Sequence, residues 1–398
     1  MQSKLTTTDT NILIDTITEA IIGKDKLELH NASYQTGLLG YSLYYSFLAK
    51  HKKDDIIIKK AEEYFNKGIE ALDIHNFTRT YNTDTIDAHL AHIGRFIIYT
   101  KENNLLDIDA EEYLNQLDDI LFDLMKTKIS IKDFDPTSGA LAAGLYFLSR
   151  AKEKESVKEY IKTLLFGIDN FAKKDKDGDY FWESPSLFNR VYLGISHGSS
   201  LLIAYAASAH ALNIETELCE NIIEKASNFL LKQYRKSEFK GLFPNKIGDK
   251  VEPMQFALCY GDIGVGYALL KASNVLKSEK LRSFSQLVLE DCLTRTKADN
   301  LTLDAGILYG ASGLTIAFHK VAQISKDPRF YERASYWYNQ IGSYAIHNND
   351  FAGFQSRLDE ESRLWNTSYG WGILGIGVTL MAYSDNDLPP THTLTFLA

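Results

Sequence analysis

Seven times along the 398-residue chain a small residue opens an apolar run with helix-forming composition and no polar face. The leading small residues are Gly37, Ala88, Gly139, Gly198, Gly261, Gly310 and Gly372, separated by 51, 51, 59, 63, 49 and 62 residues. Gly37-Leu38-Leu39-Gly40 leads into YSLYYSFLA, Gly261-Asp262-Ile263-Gly264 into VGYALLKA, and Gly372-Ile373-Leu374-Gly375 into IGVTLMAY. The second copy, Ala88-His89-Leu90-Ala91, is the weakest. Each interval holds two helices of ordinary length with their connections. A repeat at such a period means that one supersecondary unit is stacked many times.

Between the apolar runs lie segments with apolar residues at three- and four-residue steps and charge between them: 58–72, 111–125, 157–172, 214–234 and 330–345. That is the pattern of half-exposed helices. A helix apolar all round must be covered on every side. The arrangement that satisfies both kinds is all-α: seven helical hairpins in sequence, closed into a double ring, an α/α toroid. The inner helices then run parallel, and their N-terminal ends, with unpaired N–H groups, meet on one face. An active site is expected there. An open solenoid of the same hairpins is the alternative. With 7 prolines in the whole chain, little interrupts long helices. No Gly/Ser or Pro-rich linker divides it, so residues 1–398 read as one domain.

The 43 basic and 52 acidic residues leave a net charge of −9, which argues against nucleic acid or an anionic membrane as partner. Three cysteines, Cys219, Cys259 and Cys292, make no disulfide framework and point to a reducing compartment. The N-terminal stretch has no continuous apolar core of a signal peptide, and no run is long enough to span a bilayer. The cytoplasm is the expected location.

At the fourth, fifth and sixth repeats the motifs become specific. Gly194-Ile195-Ser196-His197-Gly198, Cys259-Tyr260-Gly261 and Leu308-Tyr309-Gly310 resemble three successive motifs of the lanthionine synthetase C-like cyclases, and the sevenfold glycine pattern resembles theirs over roughly residues 30–385. The resemblance implies a seven-hairpin α/α toroid. It also implies an enzyme that adds cysteine thiols across dehydroalanine or dehydrobutyrine in a precursor peptide, forming thioether rings. Zinc is that family's cofactor, held by one cysteine of Cys-Tyr-Gly and a Cys-His pair of the following motif. A zinc ion with three protein ligands and an open position binds and deprotonates a thiol.

Carried over residue by residue, the first ligand matches Cys259, while the Cys-His pair matches Leu308 and Tyr309. Leucine has no donor atom, so Cys259 alone remains of the ligand set and no bound metal is expected. His89 and His92, near the start of the second inner helix, are the candidate substitute ligands; His319 lies nine residues beyond Gly310, about 13–14 Å down a helix. The family's motif histidine matches His197, its aspartate matches Asp135 in Asp135-Pro136-Thr137-Ser138-Gly139, and its tyrosine matches Tyr260. Gln255 stands where the family has arginine, and Leu258 where it has tryptophan.

His197, Asp135 and Tyr260 are therefore the candidate catalytic residues, and Cys259, Gln255, Asp262 and Tyr309 the candidate substrate-binding ones. Each has a bland counterpart. A histidine at a helix start is held by its loop, an aspartate there is a cap, and a cysteine is a small buried apolar group. Trp182, Trp365 and Trp371 are either a peptide-binding rim or packing. The basic run 231–250 either meets an acidic leader peptide or is solvated surface. The expected function is recognition of a modified or unmodified precursor peptide in lanthipeptide biosynthesis without zinc-dependent cyclisation, in assembly with a dehydratase of the same pathway. The alternative is a metal-independent cyclase in which His197 and Asp135 move the proton. A sugar-processing toroid would need paired carboxylates, for which Asp135 and Asp262 are the candidates.

Overall fold

A glycine at the head of an apolar helix lets the preceding loop close against the helix start, and this one device recurs through the chain. In the computed structural model, which describes residues 5–24, 31–71, 85–235, 240–250, 255–358 and 363–397, Gly37, Gly139, Gly198, Gly261, Gly310 and Gly372 each sit at the N-cap of a helix without a side-chain cap. At Gly310 an added Cβ would lie 2.4 Å from the carbonyl oxygen of Asp304, six residues earlier. Gly261 meets the oxygen of Gln255 in the same way at 2.7 Å, and its φ of +117° excludes ordinary side chains as well. The residue after the glycine donates its N–H to that carbonyl: Leu38 to Asn31 at 3.0 Å, Ala140 to Asp133 at 2.8 Å, Ser199 to Tyr192 at 3.2 Å and Ala311 to Asp304 at 3.1 Å. The expectation of unpaired N–H groups at these ends is therefore corrected: the loop's own carbonyl takes the first of them.

The loop is itself pinned from the side chain. Asn31, Asp133 and Asp304 each accept the backbone N–H two residues on, at 3.0, 3.0 and 2.8 Å. These are Asx turns. Four of the amphipathic helices start differently, on side-chain caps: Thr6, Asp54, Ser278 and Asp327.

Among the described residues there are fourteen α-helices and one two-stranded hairpin, β1 (Lys173–Lys174) with β2 (Tyr180–Phe181). They fall into two compact units. The first comprises Met1–Thr80, Phe96–Ile108 and Thr302–Leu394. In it α2 (Leu38–Lys52) is buried from Leu38 to Ala49 and packs on α3 (Asp55–Glu70) and α14 (Ile373–Ser384). α12 (Ala311–Ser325) is covered by α13 (Pro328–Gln340), which buries only Phe330, Ala334, Trp337 and Gln340. The outer partner of α14 is α1 (Thr7–Ile21), from the other end of the chain. The seventh pair is thus made by the two termini, rather than by consecutive helices as the repeat alone implies.

The second unit comprises Tyr81–Arg95, Asp109–Leu301 and Thr395–Ala398. α5 (Glu111–Ser130) packs on α6 (Ala140–Arg150) and α7 (Lys158–Asn170); α8 (Ser199–Ala211) packs on α9 (Thr216–Leu231) and α10 (Asp262–Leu276); and α10 is backed by α11 (Glu279–Thr294). The remaining helix, α4 (Ile86–Glu102), contributes residues to both units. A buried ion cluster ties α5 to α6. Asp118, 1% exposed, accepts from the Tyr146 hydroxyl at 2.5 Å, from Arg150 Nε at 3.3 Å and from Lys154 Nζ at 2.9 Å. The outer helices fall within a few residues of the amphipathic segments read from sequence; Leu72, at the edge of one segment, lies outside the described residues.

Candidate active site

The loops before α6 and α8 carry the two residues that sequence reading paired. Asp135 stands four residues before the capping Gly139, and His197 one residue before Gly198. His197 Nδ1 lies 2.7 Å from Asp135 Oδ2. The other carboxylate oxygen accepts from Thr137 twice, from its N–H at 2.8 Å and its hydroxyl at 2.6 Å. Asp135 is buried, and burial alone would raise its pKa. Attraction to His197 and the hydrogen bonds from His197 and Thr137 outweigh that and hold the carboxyl below its usual range. An ionised carboxylate only accepts, so Nδ1 is the donor of this hydrogen bond. The imidazole side chain is 16% exposed. This is the geometry of a general base oriented by a carboxylate.

Around His197 the walls are aromatic. The Tyr192 ring meets it edge-on at 5.8 Å, and the Tyr260 ring lies 6.4 Å away. Tyr260 also immediately precedes a capping glycine, as do Tyr309 and Trp371. All four of these large pre-glycine side chains, His197 included, are half-buried, in a chain where the preceding position is usually buried. At the same position in the two remaining loops the small residues Thr36 and Ser138 are buried, so partial exposure goes with the large side chains.

Cys259 is 4% exposed, and its carbonyl accepts the Ser196 hydroxyl at 2.9 Å, which ties the His197 loop to the Cys259-Tyr260-Gly261 loop. Gln255, half-buried, opens that same loop. Asp262 has a different duty from the polar lining expected of it. It is fully buried, accepts the N–H groups of Leu242 at 2.7 Å and Phe243 at 3.1 Å, and pairs with buried Arg295. Both oxygens are spent on structure. Tyr309 belongs to the other unit, where the Arg357 guanidinium sits 4.7 Å over its ring. Arg357 donates its N–H to buried Asp304 at 3.0 Å. Trp182 is buried with its indole N–H on the Ile168 carbonyl at 3.0 Å, Trp365 is buried against Trp371 at 4.5 Å, and Trp371 is half-buried. Trp182 and Trp365 are packing residues. Of the basic run, residues 236–239 lie outside the described residues. Lys232, Lys240 and Lys246 within it are each paired with a carboxylate.

The donor set does not fit a zinc ion of the kind the resemblance implies. Three protein donors are needed. Leu308, without a lone pair, is 5% exposed and its side chain lies over Gly370. His89 and His92 are buried and stacked on each other at 6.2 Å, and burial first, then the neighbouring His89 and Arg95, pushes the His92 pKa down. His319 packs between Tyr331 and Tyr383. Among the described residues, the one group of three His, Cys, Asp or Glu donors is Asp175, Asp177 and Asp179, and Lys232 Nζ already sits on all three.

Comparison with known proteins places these observations in a family context. The family described as lanthionine synthetase C-like protein matches residues 28–394. Among solved structures, nisin cyclase is similar over 98% of this chain and 97% of its own, with a TM-score of 0.71 and 17% sequence identity. The fold class is accordingly that of an all-α, α/α toroid protein. Cellobiose 2-epimerase from Bacillus thermoamylovorans B4167 aligns over 86% of this chain and 89% of its own at a TM-score of 0.39 and 10% identity, too distant to carry an argument. A search of curated proteins gave no match. Among the described residues no helix is long and apolar enough to cross a membrane.

Proposed function

The chain belongs to the lanthionine synthetase C-like family, and on that premise we propose that it binds a dehydrated precursor peptide in lanthipeptide biosynthesis without zinc-dependent cyclisation. The observation that carries this reading is the donor set: Cys259 stands alone, with Leu308 and Tyr309 where the family's Cys-His pair would be. The fold shared with nisin cyclase, a cyclase by name, supports a peptide as the ligand class. A dehydratase of the same pathway is the second partner we propose. The cytoplasm is the proposed compartment, supported by three buried cysteines none of which forms a disulfide among the described residues. Metal analysis of the purified protein, with calorimetric binding of a dehydrated peptide before and after chelation, tests the proposal. Zinc far below one per chain, with binding that chelation leaves unchanged, is expected. One tightly held zinc per chain overturns it.

A second reading is favoured by one observation, the 2.7 Å contact of His197 with Asp135. In it the protein is a metal-independent cyclase. His197 Nε2 takes the proton of the incoming cysteine thiol. The thiolate forms a C–S bond to the β-carbon of the dehydro residue as the C=C π bond breaks and its electrons move into an enolate. The imidazolium returns the proton to the α-carbon, and Tyr260 donates a hydrogen bond to the enolate oxygen. Proximity supplies the rest. Ring formation on a dehydrated peptide by the wild type, at least tenfold faster than by His197→Ala, is the expected result; equal rates overturn this reading.

A further inference from the structure

Phe188 is 83% exposed and adopts a left-handed backbone conformation, φ +64°. Both features are unfavourable. A phenyl ring in water forgoes its burial energy, and a bulky residue at positive φ is a steric outlier. Asn189 follows at φ +54°, so the backbone turns left-handed over two consecutive residues. Such strain persists only when the surroundings over-determine it.

Here they do. The segment Ser184–Arg190 closes on itself: Ser184 N–H donates to Arg190 O at 3.0 Å, and Ser184 O accepts from Leu187 at 3.0 Å and Asn189 at 2.9 Å. The loop is then fastened to both arms of the dyad. The Ser184 hydroxyl reaches the His197 carbonyl at 3.4 Å, and the Ser138 hydroxyl, on the Asp135 turn, donates to Ser186 at 2.6 Å. Glu183 and Ser184 share a crevice with Trp182, Leu201 and His197. A strained loop closed by its own hydrogen bonds thus holds an aromatic side chain out in water while it is tied to the His197 backbone carbonyl and to Ser138, three residues from Asp135.

We propose that Phe188 is a specificity-determining wedge: it receives an apolar side chain of the peptide substrate, flanking the residue presented to His197. The ligand is a peptide because the proposal rests on the reading of the protein as a precursor-peptide binder. The contacted chemistry is an aliphatic or aromatic side chain, since an exposed phenyl ring gains by covering apolar surface and offers no hydrogen bond. Closure of the loop by its own hydrogen bonds lowers the ordering cost of that contact.

The experiment is calorimetric or fluorescence binding of two dehydrated peptides, one with leucine or phenylalanine flanking the dehydro residue and one with serine there. They are titrated into wild type, Phe188→Leu, Phe188→Ala and Phe188→Gly. The expected result is a loss of about tenfold or more in affinity for the apolar peptide with Ala and Gly, near wild-type affinity with Leu, and little difference among the four for the serine peptide. Thermal unfolding supplies a readout that a structural role would move the other way. Phe188→Gly relieves the positive φ, and its Tm is expected at or above that of the wild type. A Tm several degrees lower, or affinities indifferent to Phe188 when the wild type binds both peptides, overturns the wedge alone. Failure of the wild type to bind either peptide overturns the peptide-binding reading and the wedge with it.

Discussion

Asp135 holds His197 by its Nδ1 at 2.7 Å while Thr137 occupies the carboxylate's second oxygen. The aspartate side chain is fully buried and the histidine side chain is 16% exposed, so the charge that orients the ring is shielded from water while the ring itself is not fully covered. Because the ionised form is the one these partners favour, the dyad is linked to folding. An aspartate with a pKa lower in the folded than in the unfolded chain stabilises the fold above about pH 3.9, and that contribution fades as pH falls through its folded value. Asp135→Asn is expected to be less stable than wild type at pH 7, with the gap closing as pH falls below about 4. Thermal unfolding followed by circular dichroism across that range checks it. A gap that stays constant with pH would mean that the carboxylate charge is not what these bonds hold.

Asp304 has the opposite linkage. Burial pushes its carboxyl up to about 6, against the lowering effect of the N–H groups of Arg357 and Gly306 and the Arg357 charge. In the window from about pH 4 to pH 6 the folded chain holds a proton that the unfolded chain has released, so stability falls as pH rises. Asp304→Asn removes that dependence. Relative to wild type, the variant is expected to gain up to about 3 kcal/mol on going from pH 4 to pH 7.5. Urea unfolding at the two pH values measures the change. A difference independent of pH counts against a buried, ionising Asp304.

Two carboxylates on α5 contact Arg150, and burial separates their worth. Asp118 is 1% exposed and Glu111 is 51% exposed at the side chain. Removing Asp118 leaves Arg150, itself 1% exposed, without a buried counter-charge. Asp118→Ala is expected to cost about 3–5 kcal/mol, and Glu111→Ala about 1 kcal/mol or less. Comparable losses for the two in chemical denaturation would sink the argument.

Much of this was legible in the chain. Small-residue starts at 37, 139, 198, 261, 310 and 372 located the buried helices, because a helix with no polar face leaves an apolar run behind each of them, repeated at a roughly regular spacing. His197 and Asp135 were paired from two short motifs, and they do touch. What was not legible has physical reasons. The outer helix of the last pair comes from residues 7–21, and an amphipathic segment at one terminus carries no mark of its partner at the other. Asp262 looked like pocket lining because its duties, Leu242, Phe243 and Arg295, are 19 to 33 residues away and share no periodicity with it. The Asx residues at 31, 133 and 304 were visible six positions before a glycine, but their role emerges only once the loop carbonyl is seen to bond the helix start.

Gly261 puts that loop device to its sharpest test. Unlike the other capping glycines, which are extended and tolerate side chains in φ, it has φ +117°, and a Cβ there would also approach the Gln255 oxygen to 2.7 Å. A substitution must therefore move backbone at both ends of the Gln255–Gly261 loop, which positions Cys259 and Tyr260. Gly261→Ala is expected to lose about 2 kcal/mol or more and to weaken peptide binding, because Tyr260 leaves its place beside His197. Gly23, at φ +77° with nothing within 4 Å of an added Cβ, isolates the backbone part of the cost. Gly23→Ala is expected to lose about 1 kcal/mol and leave binding intact. Unfolding and peptide titration on the two variants separate strain from collision; if Gly261→Ala were no worse than Gly23→Ala, the close loop-to-helix contact would not be what glycine serves there.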